Sequence, residues 1–116
     1  MNRGDIVILD VPFPDHTGTK VRPGLVVQAD FYHHLNTTVI AAITSSANRM
    51  VGAKTQLFID INTVEGRSTG LRSNSVVQCN HLVTIDQSLI HRTIGKLSPA
   101  MMLQIDAGLK ESLDIP

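Results

Sequence analysis

The sequence predicts a small, mainly β domain closed by one C-terminal α-helix. Three observations carry this. Short β-branched runs alternate with turn residues along most of the chain. No strand–helix–strand alternation occurs, which argues against a doubly wound α/β fold. After Ser98-Pro99 the apolar spacing changes to four residues, the period of a helix face. A strongly bent small barrel is the economical arrangement for several short strands, because it disposes of sheet edges. The 116 residues fit one domain, 1–116.

The elements follow in order. Residues 5–13 are rich in Ile and Val and form the first strand, with Pro12 marking its exit. Residues 14–21 carry loop chemistry, and a second strand is expected at about 22–29. Asp30 suits the cap of a short helical turn through Leu35. A third strand runs 37–43 and stops at Thr44-Ser45-Ser46. In 55–61, Leu57, Ile59 and Ile61 alternate with Gln56, Phe58 and Asp60, the two faces of a strand. A Gly- and Ser-containing stretch, 66–75, precedes short strands at 76–79, 82–85 and 90–97. Ser98 is then an N-cap and Pro99 the first helical residue. Met101, Ile105, Leu109 and Leu113, with Met102 alongside, form one stripe that packs on the core.

Composition narrows the function. Hydrophobic residues make up 42% and charged residues 17%, the balance of a folded soluble domain. Ten basic residues meet ten acidic ones, so the chain is not a bulk-charge coat for duplex nucleic acid. A single cysteine, Cys79, forbids an internal disulfide and suits a reducing cytoplasm; it is expected as a buried strand residue. The polar start, Met1 to Asp5, shows no signal peptide, and no apolar run approaches a membrane span. Aromatics are Phe13, Phe31, Tyr32 and Phe58, expected mostly in the core. His33 and His34 are adjacent and cannot share a helix face, and no paired-Cys or His-Glu-x-x-His spacing exists. Neither a metal nor a cofactor is expected.

Five segments resemble the MazF/PemK (Kid-like) family of type II toxin endoribonucleases. They are Arg3-Gly4-Asp5-Ile6-Val7; Arg22-Pro23-Gly24-Leu25-Val26-Val27; Ala42-Ile43-Thr44-Ser45; Ser75-Val76-Val77-Gln78-Cys79-Asn80 leading to Val83-Thr84-Ile85-Asp86; and Ile94-Gly95-Lys96-Leu97-Ser98 with the final helix. They keep the family's order and span about the whole chain. The resemblance implies an SH3-like barrel of the CcdB/Kid/MazF type. It also implies a homodimer, cleavage of single-stranded RNA without metal, and inhibition by a cognate antitoxin. The implied products are a 2′,3′-cyclic phosphate and a 5′-hydroxyl end.

RNA carries its own nucleophile, the 2′-hydroxyl. An enzyme need only remove that proton, stabilise charge on the phosphoryl oxygens and protonate the leaving 5′-oxygen. Arg22 suits the second task, because a guanidinium is always charged and can fork two hydrogen bonds onto phosphate. By resemblance it matches the family's catalytic arginine, which also serves as proton donor. Thr44 matches the active-site threonine, with Ser45 beside it. His16 lies six residues before Arg22, where some members carry a histidine able to shuttle protons. One departure stands out: some PemK-like members place a catalytic arginine and aspartate where this chain has Gln78 and Asn80. Neither amide is a base near neutral pH, and both suit base-edge readout instead. Thr17 and Lys20 near the first loop, with Arg49, Lys54, Arg67 and Arg72 in the later loops, are candidates to hold the RNA strand. Two other readings remain open. A non-enzymatic gyrase-binding toxin like CcdB is disfavoured by the end Leu113-Asp114-Ile115-Pro116, which lacks a Trp. A catalytically weakened RNA-binding member is motivated by Gln78 and Asn80.

Overall fold

The computed structural model describes residues 1–12, 19–45 and 53–116. Six antiparallel strands form one sheet in the order β4-β5-β3-β2-β1-β6. They are β1 (Asp5–Pro12), β2 (Thr19–Val26), β3 (Thr37–Ser45), β4 (Gln56–Ile59), β5 (Ser75–Asp86) and β6 (Ile90–Lys96). A short helix α1 (Val64–Arg67) precedes β5, and α2 (Pro99–Leu113) ends the fold. The class is the mainly β one expected from sequence, with a C-terminal helix. Barrel closure differs: no β4–β6 pairing closes the sheet among the described residues. The 60–75 segment abuts β6 instead, and the Lys96 amide donates to the Ser68 carbonyl at 3.1 Å. Gly95 permits this approach, since a Cβ there would meet the Ser68 and Thr69 backbone at 2.4 Å.

Strand alternation divides the apolar residues between two faces. One face carries Ile6, Leu25, Ala41, Ile43, Val77 and Leu57, and α2 covers it with Met101 and Ile105. The other carries Val7, Leu9, Val26, Ile40 and Ile85. The helix starts where its sequence says: the Met101 amide donates to Ser98 Oγ at 3.1 Å, a cap worth about 1 kcal/mol. It ends at Asp114, whose φ of 55° is left-handed. The helical stripe packs as expected through Met101 and Ile105, and Leu109 joins their cluster; Leu113 lies beyond the contact and is exposed.

Cys79 seats the helix on β5. It is buried, its Sγ donates to the Ile105 carbonyl, and burial pushes its thiol up to about 11. Gly108 makes the approach possible: a Cβ there would stand 2.8 Å from Cys79 Sγ. Arg3 braces the same turn of α2, donating to Asp106 Oδ1 at 2.6 Å and, through Nε, to the Val27 carbonyl at 2.9 Å.

Several boundaries depart from the sequence expectation. Residues 19–21 belong to β2, because β1 pairs with them as far as Pro12↔Thr19. The two strands expected at 76–79 and 82–85 are one strand, β5, bent where the register jumps from Ala41↔Leu82 to Ala42↔Gln78. Asp30 does not cap its 3₁₀ turn, Asp30–Tyr32, by a side-chain bond; its carboxylate accepts from the Arg3 amide. Helix α1 stands at the edge of what composition marked as loop, capped by Thr63. The aromatics are not core: Phe31, Tyr32 and Phe58 are all exposed, and Phe13 lies outside the described residues.

Candidate active site

Five strands and one loop meet at a cleft of about 450 Å³. Its floor is apolar, made by Ile8, Ile43 and Ile94. Its polar groups come from separate elements. Arg22 and Pro23 arrive on β2, held by the pairing Leu9↔Arg22 and Ile8↔Pro23. Thr44 and Ser45 end β3, fixed opposite Val76 and Ser75 of β5. Arg72 and Ser73 come from the loop before β5. Arg92 comes from β6, where it pairs with Ile8.

The loop carrying Arg72 is itself anchored. Thr69, fully buried, donates from Oγ1 to the Gly66 carbonyl at 2.6 Å and accepts from the Leu71 amide at 3.2 Å. The Ile61 amide donates to Asn74 Oδ1 at 3.0 Å. Gly70 adopts a φ of +74°, and a Cβ there would strike the Ile94 carbonyl oxygen at 2.2 Å. Arg72 is therefore aimed by a fixed turn resting on β6.

The electrostatics are one-sided. Arg22, Arg72 and Arg92 line the cleft, with the hydroxyls of Thr44, Ser45, Ser73 and Ser75, and no carboxylate among the described lining residues. Three guanidiniums around a small basin form a site for a phosphodiester anion. Arg22 also borders a narrow apolar pocket lined by Leu9, Ile40, Val83 and Ile85, so a strand packed on both sides directs it.

Of the residues singled out in the sequence, the structure gathers Arg22, Thr44, Ser45 and Arg72. It does not bring Lys54, Arg67, Gln78 or Asn80 into this lining. Arg67 folds back onto the carbonyls of Asn62 and Thr63 at 3.3 and 3.4 Å. Lys54 lies beside α2, its carbonyl 3.5 Å from the Cβ position at Gly108. Gln78 is half-buried between Ala42 and Gln56, and Asn80 is exposed at the bend of β5. His16, Thr17 and Arg49 lie outside the described residues, as does the side chain of Lys20. Sequence reasoning missed Arg92. Its only local signal is its place two residues before Ile94 on a strand, and both line the cleft.

Residues 2–113 match the model of one family, described as PemK-like, MazF-like toxin of type II toxin-antitoxin system. The chain belongs to this family. Among MazF/PemK relatives, it is 30% identical over 115 residues to the endoribonuclease EndoA of Bacillus subtilis, covering 97% of this chain and 94% of the relative. It is 29% identical over 117 residues to the endoribonuclease MazF2 of Mycobacterium bovis, covering 99% and 98%. The fold superposes on the Mycobacterium tuberculosis toxin MazF-mt6 with a TM-score of 0.77 at 25% identity, covering 97% and 98%. It also superposes on a mycobacterial endoribonuclease solved in complex with its cognate antitoxin, with a TM-score of 0.78 at 18% identity, covering 100% and 97%.

Proposed function

We propose that this chain is the toxin of a type II toxin–antitoxin pair: a metal-independent endoribonuclease that cleaves single-stranded RNA as a homodimer. One observation carries the reading. In a MazF/PemK chain, Arg22, Thr44, Ser45, Arg72 and Arg92 converge on one cleft sized for a nucleotide phosphate and its sugar. The guanidiniums hold the scissile phosphate and offset the charge that grows on its non-bridging oxygens as the 2′-oxygen attacks. The Thr44 and Ser45 hydroxyls orient the sugar–phosphate by hydrogen bonds. The products are then a 2′,3′-cyclic phosphate and a 5′-hydroxyl. Metal independence follows from the substrate's own nucleophile and from a lining whose donors are guanidiniums and hydroxyls, poor ligands for a divalent ion.

A cognate antitoxin would silence the enzyme by covering this cleft. Two copies of the sheet would extend the basic path for the strand. The test is incubation of purified protein with a long single-stranded RNA in excess EDTA, with mapping of cuts and end groups. Cleavage to cyclic-phosphate ends, lost in Arg22→Ala, is expected. A metal requirement, or cleavage indifferent to Arg22→Ala, overturns the reading. Inhibition of DNA gyrase by the protein without RNA cleavage would favour the gyrase-binding alternative.

A further inference from the structure

A phosphodiester does not use the whole cleft. A charged, strongly hydrated phosphate gains nothing from lying on isoleucines. Yet Ile8, Ile43 and Ile94 form the floor, and Leu71 adds to the apolar lining. The part of an RNA strand that gains from such a surface is the face of a base.

Arg92 stands at the edge of that floor. It pairs with Ile8 across β1 and β6, which puts the two Cβ atoms on one face of the sheet, about 5 Å apart. Arg72 lines the same cleft from the turn that Gly70 rests on the Ile94 carbonyl. Among the described residues, no hydrogen bond or ion pair engages either guanidinium. A guanidinium that forks onto a phosphate still has N–H groups left for a base edge.

The lining sorts bases by what their edges carry. A guanidinium donates and cannot accept. The hydroxyls of Thr44 and Ser73 do both and favour neither kind of edge, and the Ser75 hydroxyl already donates to the Ser73 carbonyl at 2.8 Å. No carboxylate, side-chain amide or imidazole stands among the described lining residues. Guanine and uracil present a keto oxygen where adenine and cytosine present an amino group. Beside Arg92 the keto oxygen meets a donor, whereas the amino group meets other N–H groups and loses the water it was bonded to.

We propose that the cleft chooses its cleavage site by base: one nucleotide flanking the scissile phosphate lays a keto base, uracil or guanine, on the Ile8–Ile43–Ile94 floor, and Arg92, assisted by Arg72, donates to the keto oxygen. This rests on the endoribonuclease reading above. Base reading then falls to the cleft's own arginines, and not to Gln78 and Asn80, which lie outside its lining.

The test is single-turnover cleavage by the full chain of shape-matched RNAs. Once a cut is mapped, the nucleotide on each side of it is varied in turn: uracil against cytosine, hypoxanthine against adenine, and an abasic position. Within each pair the rings match in size and differ in keto against amino groups. At one of the two positions the keto base is expected to be cleaved about tenfold faster or more. The pair that shows this tells whether the cleft takes uracil or a guanine-like purine. The abasic RNA is expected to be as slow as the amino one. Arg92→Gln sets an acceptor beside the floor and is expected to bring the keto and amino rates to within about twofold of each other. Arg92→Lys keeps the charge but not the planar fork; it is expected to weaken the preference and to keep the salt dependence of binding. Thermal melting shows that each variant is folded. Equal rates for keto and amino bases at both positions overturn the proposal, as does a preference for the amino base. So does an abasic RNA cleaved as fast as the keto one, or a keto preference unchanged in both folded Arg92 variants. If the wild-type protein cleaves no RNA at all, the endoribonuclease reading itself falls.

Discussion

The face that α2 covers and the cleft are built by opposite rules. Under the helix, Cys79, Gly108 and Ile105 fit within a few ångströms, and every group is either apolar or hydrogen-bonded to its neighbour. At the cleft, the same strands end in arginines and hydroxyls that line a basin. β3 and β5 run through both regions. The chain thus confines its stability to one end and leaves the other free to hold charge that a packed core could not accommodate. Substitutions in the two regions are accordingly expected to separate cleanly into losses of activity and losses of stability.

The largest effect is expected at the cleft. Arg22→Ala should lower cleavage about 10³-fold while the melting temperature stays within a degree or two of wild type; a comparable loss of stability would show that Arg22 braces the fold. Next, Ile105→Ala should cost about 3 kcal/mol in denaturant unfolding, because Ile105 is fully buried between α2 and β5. Activity per folded molecule should not change. Gly108→Ala should cost about 2 kcal/mol by overpacking against Cys79 Sγ. Adding Cys79→Ala should recover part of that loss, and a double-mutant cycle measures the coupling.

A further expectation concerns pH. The folded thiol of Cys79 ionises near 11 against an ordinary value of 9.0. The unfolded chain therefore sheds this proton first as pH rises. The stabilisation is full below pH 9 and declines as pH climbs toward 11, by at most about 2–3 kcal/mol. Cys79→Ala should remove that alkaline slope in unfolding curves. The smallest effect is expected at single phosphate grips: Arg72→Ala or Arg92→Ala should each flatten the salt dependence of RNA binding by about 0.7 in the log–log slope. An unchanged slope for either would mean that residue does not touch the strand.

This division also governs what the sequence could disclose. The helix stripe, its Ser98 cap and the buried Cys79 were legible because they follow from local periodicity and capping chemistry. Arg22, Thr44 and Ser45 were legible through a family resemblance, and Arg72 through loop composition. Arg92 was not, because only the long-range pairing Ile8↔Arg92 brings β6 to the cleft. The unity of β5 was hidden for a similar reason. Its middle, Asn80 and His81, is polar and exposed at a bend, so the pattern reads as a break between two strands. The exposure of Phe31 and Tyr32 contradicts residue-type preference; the two rings meet edge to face at 5.0 Å on a surface turn instead of entering a core that aliphatic side chains already fill.

The glycine crossing beside β6 has a consequence for how such a protein can diversify. At Gly95 and Gly70 two backbones touch with no side chain between them, and the turn that presents Arg72 is thereby fastened to the strand that presents Arg92. The two cations keep a set spacing, like the jaws of a caliper locked at one opening. New target preferences in its descendants would have to come from residues that read the bases around that fixed gauge, since widening it means replacing a glycine where a Cβ has no room.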